Sequence, residues 1–149
     1  MSWTLINDTL YNQSSTEIAY FLPAATYNEK SMIKNGDELI DLIGVFMNGY
    51  DEGKKQVSKK LFEEFKKIID IKANYNIEWN VTNEGELINE NNQAVCIFIN
   101  PASIYAKLIA HLPIVYDAVK ELVNDLSSTK GLALKKIYNK ICEFYDKTI

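Results

Sequence analysis

The sequence contains no arginine: all sixteen basic residues of the 149 are lysines. Arginine is the usual bidentate reader of guanine edges and of phosphate, so its absence counts against base-specific DNA recognition. There is one histidine, His111, which excludes any two-histidine metal site. The two cysteines, Cys96 and Cys142, belong to no CxxC pair and no Cys/His cluster. The six glycines form neither a GxxxxGK[ST] nor a GxGxxG loop, so phosphate-cradling cofactor sites of those kinds are excluded. No GxSxG elbow, HExxH helix or kinase signature is present. Asp51-Glu52-Gly53 superficially resembles the start of a calcium loop, but lysines follow where further ligands belong. No cofactor and no metal are therefore expected.

Long apolar runs are also missing. None approaches the ~20 residues that cross a bilayer. Met1-Ser2-Trp3-Thr4 lacks the basic and apolar regions of a secretory signal. Together with two thiols far apart in sequence, this predicts reduced cysteines, a cytoplasmic location and no membrane partner.

What is present is an ordinary globular composition, 47% hydrophobic and 24% charged, with a net charge of −4. At 149 residues the chain fits a single domain, residues 1–149, able to build a core without staples. Ile, Lys, Asn and Tyr are abundant and share AT-rich codons, which predicts an AT-rich bacterial, phage or plasmid source.

Residues 3–22 read as a β-hairpin, with strands over 3–11 and 16–22 about the Asn12-Gln13-Ser14-Ser15 turn and Pro23 as a stop. Residues 24–34 show no clear period and read as a connection. A helix is predicted over 37–48, apolar nearly all round and stopped at Asn48-Gly49. A second runs over 52–69, with Val57, Leu61, Phe65 and Ile68 on one stripe and lysines opposite. Residues 75–82 alternate Tyr75, Ile77, Trp79 and Val81 with polar neighbours, the pattern of a half-buried strand. Further strands are predicted over 86–89 and over 94–99, the latter buried on both sides. Helices follow over 103–112 and from Pro113 to about Leu126, with a loop and cap at Ser127-Ser128-Thr129 before a last helix. Strands, helices, strands and helices in that order predict an α+β fold: a mostly antiparallel sheet with about five helices on one face.

The candidate chemistry is thin. His111 is placed at a helix end, where an imidazolium favours the dipole; as a general base it would lean on Asp117 or Tyr105. Asp37, Glu38 and Asp41 cluster at a helix start, and Asp51-Glu52 at the next. Capping accounts for them, whereas hydrolysis would need two carboxylates converging in a cleft.

Charge is polarised along the chain. Residues 54–72 carry seven lysines against three acids, a local +4, while residues 1–53 carry two lysines against eight acids, a local −6. Lys54, Lys55, Lys59 and Lys66 are candidate contacts to a nucleic-acid backbone. A solvated helix face explains them as well, and with no arginine the sequence argues against nucleic acid as a partner. Asp117, Glu121 and Asp125 form an acidic row at four-residue spacing, which could dock a basic partner. Tyr50, Asp51 and Glu52, together with Glu84 in the 83–92 loop, are the remaining partner-contact candidates, since loop tyrosines are common at interfaces.

The expected function is a small protein-binding module without catalysis, of the inhibitor, immunity or adaptor type, with another protein as its partner. The alternatives are a small carboxylate-dependent enzyme and a lysine-mediated, non-specific nucleic-acid binder. The opposed lysine and acidic faces also allow a self-complementary homo-oligomer.

Overall fold

The structure, a computed structural model, describes residues 3–75, 79–125 and 128–146. Its sheet has six strands: β1 (Thr4–Ile6), β2 (Thr9–Tyr11), β3 (Glu17–Phe21), β4 (Asn80–Val81), β5 (Glu86–Ile88) and β6 (Ala94–Phe98). They lie in the order β1-β2-β3-β6-β5-β4 and every pairing is antiparallel. Five helices complete an α+β fold: α1 (Tyr27–Lys34), α2 (Gly36–Asp51), α3 (Lys59–Ile68), α4 (Ile104–Asn124) and α5 (Ser128–Asp146).

The N-terminal segment departs from the expected hairpin. Residues 3–11 are two strands, because Asn7 and Asp8 take left-handed backbone at φ 49° and 66° and make a two-residue turn. Asn and Asp are the residues besides glycine that tolerate that region. The result is a three-stranded meander.

Residues 24–34 are not a featureless connection. They hold α1, started by a capping box in which the Thr26 hydroxyl accepts from Glu29 N and the Glu29 carboxylate accepts from Thr26 N. The predicted helix over 37–48 continues to Asp51; Gly49 does not stop it, and the chain turns at Gly53 with φ 93°. In consequence α3 begins only at Lys59, capped by Ser58, and Val57 is buried from the preceding loop rather than on the helical stripe.

Of the predicted strand over 75–82, Asn80–Val81 form β4, Tyr75, Trp79 and Thr82 are not in a strand, and residues 76–78 lie outside the described residues. Tyr75 and Trp79 are buried without being in strands, and the Tyr75 hydroxyl accepts the Asp70 N–H at 2.9 Å. The two helices expected on either side of Pro113 are one helix, α4. Proline costs that helix a hydrogen bond, but Leu108, Ile109, Leu112, Val115, Tyr116 and Val119 around it are all buried, so packing holds the axis. Ser128 and Thr129 already belong to α5; Leu126 and Ser127 lie outside the described residues.

The helices cover one face of the sheet. Leu5, Leu10, Ala19 and Phe98 follow one another across β1, β2, β3 and β6, and Phe21, Cys96 and Leu87 across β3, β6 and β5. Of these seven only Leu5 is not fully buried. Both central strands bulge. Ile18 is the extra residue of β3 between the partners of Leu10 and Tyr11, and Val95 that of β6 between the partners of Leu87 and Ile88. Both extra residues are buried, which breaks the simple alternation.

Candidate functional site

The other face of the sheet carries a row in pairing register: Ile6, Thr9, Tyr20, Ile97 and Glu86, from β1 through β2, β3 and β6 to β5. Ile6 is 53% exposed, Tyr20 42% and Ile97 37%, and Ile99 just beyond β6 is 48% exposed. The strand over 94–99 is therefore not buried on both sides as expected, and Tyr20 is not a core residue. Isolated exposed apolar residues are ordinary, but several gathered on one face of a sheet mark a contact site.

The Tyr20 hydroxyl donates to Glu17 Oε2 at 2.6 Å, and this bond, ahead of desolvation, raises the phenol above its ordinary value. No lysine occurs in any of the six strands, whereas Glu17 and Glu86 do. The face is thus apolar at its centre and acidic around it.

The contact candidates singled out from sequence fall elsewhere and do not form one patch. Tyr50, Asp51 and Glu52 end α2 against α5. The Tyr50 ring packs on Phe46 and on Gly131, where a Cβ would come within 2.8 Å of Tyr50 Cε2. Asp51 is paired with Lys135 at 2.6 Å and Glu52 with Lys54 at 3.8 Å. On α4, Glu121 meets Lys130 of α5 at 3.4 Å; Asp117 is half-buried and Asp125, the C-cap, is exposed. Glu84 is exposed in the β4–β5 turn, close to Glu86 at the acidic margin of the sheet.

The lysines of the nucleic-acid reading are exposed around the start of α3: Lys54 and Lys55 in the loop after Gly53, Lys59 in the first turn. Lys66 lies over the Phe62 ring at 5.3 Å, so an aromatic neighbours this lysine face.

Asp37 and Asp41 lie close enough to influence one another and Tyr145, whereas the charge that His111 senses is that of Lys140. His111 is in the middle of α4, not at a helix end, and its Nε2 is buried without a hydrogen-bond partner. The Phe144 ring meets it edge-on at 5.7 Å. Burial, seconded by the charge of Lys140, pushes its pKa below the ordinary 6.5, so it does not serve as a dipole-favoured cation. The groove beside it, about 340 Å³, is lined by Trp79, Asn80, Lys107, Ala110, Ile114 and Phe144, with no carboxylate among the described lining residues. Asp37, at the start of α2, accepts the Trp3 N–H at 3.3 Å, and burial raises its pKa. Burial also pushes the Cys96 thiol up to about 12, which makes it a packing residue, not a nucleophile. Among the described residues no three His, Cys, Asp or Glu side chains are placed to hold a metal ion, and no helix is long and apolar enough to cross a membrane.

A larger cleft of about 560 Å³ opens between the start of α1, the 68–75 segment and the β5–β6 turn. Its floor is Tyr116, whose hydroxyl donates to the Met32 carbonyl at 2.8 Å and whose ring lies 5.2 Å from that of Tyr75. Burial raises both phenols, Tyr116 the more strongly. In its wall the buried pair Asn89 and Glu29 is joined by a 3.0 Å hydrogen bond from Asn89 Nδ2. The cleft was not foreseen. The sequence signal for half of it was the Thr26-x-x-Glu29 capping box; the meeting of Glu29 with Asn89, sixty residues on, left no local trace.

Comparison with known protein families, with curated proteins and with solved structures yields no match.

Proposed function

We propose that this chain is a small protein-binding module without catalysis, of the inhibitor, immunity or adaptor type, and that it engages its partner through the open face of the sheet. The observation that carries the proposal is the row Ile6, Thr9, Tyr20, Ile97 and Glu86, in register and uncovered by the helices. Interfaces are enriched in tyrosine and aliphatic area at the centre, with charge at the rim. Here the rim is acidic, with Glu17, Glu84 and Glu86 and no strand lysine, so the fitting partner presents aliphatic side chains ringed by lysine or arginine. The enzyme reading is weaker: no carboxylate is among the described residues lining the His111 groove, and the Asp37 carboxylate is engaged by the Trp3 N–H.

The test is capture of interacting proteins by the full chain, with crosslinks mapped by mass spectrometry, in the wild type and two variants. Tyr20→Lys combined with Ile97→Lys is expected to weaken the captured complex by about a hundredfold, as loss of central contacts does. Lys59→Glu combined with Lys66→Glu is expected to leave it unchanged. The opposite outcome, or crosslinks confined to α3, would move the contact to the lysine face and sink the proposal.

A further inference from the structure

The cleft of about 560 Å³ lies in the range of roughly 300–1,000 Å³ typical of small-ligand sites. Its wall contains a carboxylate in an unusual setting. Glu29 is only 9% exposed; one oxygen accepts the Thr26 N–H at 2.9 Å and the other accepts Asn89 Nδ2 at 3.0 Å. Both donors are neutral, and among the described residues no lysine lies within ion-pair distance of Glu29. A carboxylate offers about four acceptor positions, so two of its lone-pair directions are not accounted for by these bonds. A buried charge without a counter-charge is costly, which favours any cation that can reach it.

The surroundings point the same way. Asp70 and Glu90 are exposed members of the lining, Glu90 accepts the Trp79 indole N–H at 3.2 Å, and Lys72 is the one lysine among the lining residues. Among the described lining residues three carboxylates stand against one lysine, and the Lys120 ammonium is engaged by the Ala73 carbonyl. Tyr75, Trp79 and Tyr116 add aromatic rings, whose faces attract cations and whose edges accommodate an apolar stem. A cleft lined by one sign of charge also concentrates ligands of the other sign.

We infer that this cleft binds a small organic cation, an ammonium or guanidinium group on a short aliphatic stem. Glu29 is its counter-ion, Asp70 and Glu90 draw it in, and the Tyr75 and Trp79 rings line its stem. The site is separate from the open sheet face, so it stands or falls independently of the protein-binding reading.

The experiment is a nuclear magnetic resonance titration of the full chain with agmatine and spermidine as probes, and with glucose and inorganic phosphate as neutral and anionic controls. The chain has two tryptophans, so the indole N–H of Trp79, in the cleft, is read against that of Trp3, outside it. Agmatine or spermidine should move the Trp79 signal alone, with a dissociation constant below about 1 mM. Glu29→Gln should weaken binding by about tenfold or more, as removal of a buried counter-ion does. Because Glu29 also caps α1, the doubly substituted Asp70→Asn, Glu90→Gln chain provides an independent arm; it keeps an acceptor for the indole and should weaken binding about threefold, with a flatter salt dependence. The inference is overturned by an unmoved Trp79 signal at about 10 mM of both cations, by an equal response to glucose, or by affinity unchanged in both variants.

Discussion

The two faces of the sheet are built from neighbouring residues and meet opposite fates. Leu5, Leu10, Ala19 and Phe98 run across the strands beneath the helices; Ile6, Thr9, Tyr20 and Ile97 run across the same strands one residue away. The first row is closed over, the second is left largely exposed. Both rows contain large apolar side chains, so hydrophobicity alone does not distinguish core from contact surface. What distinguishes them is the supply of helical cover. All five helices contribute buried residues to one continuous core. The lesson is that an apolar strand position is half a statement; the other half is which layer reaches it.

The sharpest way to break this comparison is to truncate the covered row. Phe98→Ala and Leu10→Ala should each cost about 3–5 kcal/mol in urea unfolding, because both sites are enclosed and collapse poorly. A cost below about 1 kcal/mol would mean that the helices do not close over that face. Next in size is the start of α1. Thr26→Ala removes the hydroxyl that accepts Glu29 N and should lower stability by about 1 kcal/mol in the same assay; Thr26→Ser should restore it.

Smaller still is the effect expected on the open row. Tyr20→Ala and Ile97→Ala should change unfolding by no more than about 0.5 kcal/mol each while weakening partner capture, a split that the covered row cannot show. The smallest effect is a pH dependence confined to the helix layer. His111 is held below its ordinary 6.5 by burial and by Lys140, so the unfolded chain takes up the proton first as pH falls. Its contribution to stability is fully present above 6.5 and is lost as pH falls through the lower folded value. A His111→Gln chain should therefore show a flatter melting-temperature profile between about pH 7 and pH 5 than the parent; parallel profiles would refute the assignment.

Much of the architecture was legible because it rests on periodicity. Leu39, Ile43 and Phe46 announced α2, Leu61 and Phe65 announced α3, and the 86–89 and 94–99 strands were placed to within a residue. The errors came from chemistry that overrides a pattern. Asn7 and Asp8 turn the chain inside what reads as one strand, and Gly53, not Gly49, ends α2. The Thr26–Glu29 box starts α1 in a stretch without apolar period, and Trp79 alternates like a strand residue while bonding Glu90 through its indole. The surfaces were the least legible. Tyr50 and Asp51 are consumed in holding α2 to α5, a use that charge patterning along the chain does not separate from display. The cleft depends on Glu29, Tyr75 and Asn89 arriving from three separate segments, which no local spacing encodes.

The outermost strands, β1 and β4, are three and two residues long. A growing fibre recruits molecules through the lateral backbone groups of such strands, and these offer it very little length. This chain can therefore display an oily sheet face at high concentration without templating its neighbours. By the same geometry, the edges offer a visiting polypeptide little backbone to pair with as a seventh strand, which favours reading side chain against side chain on the face itself.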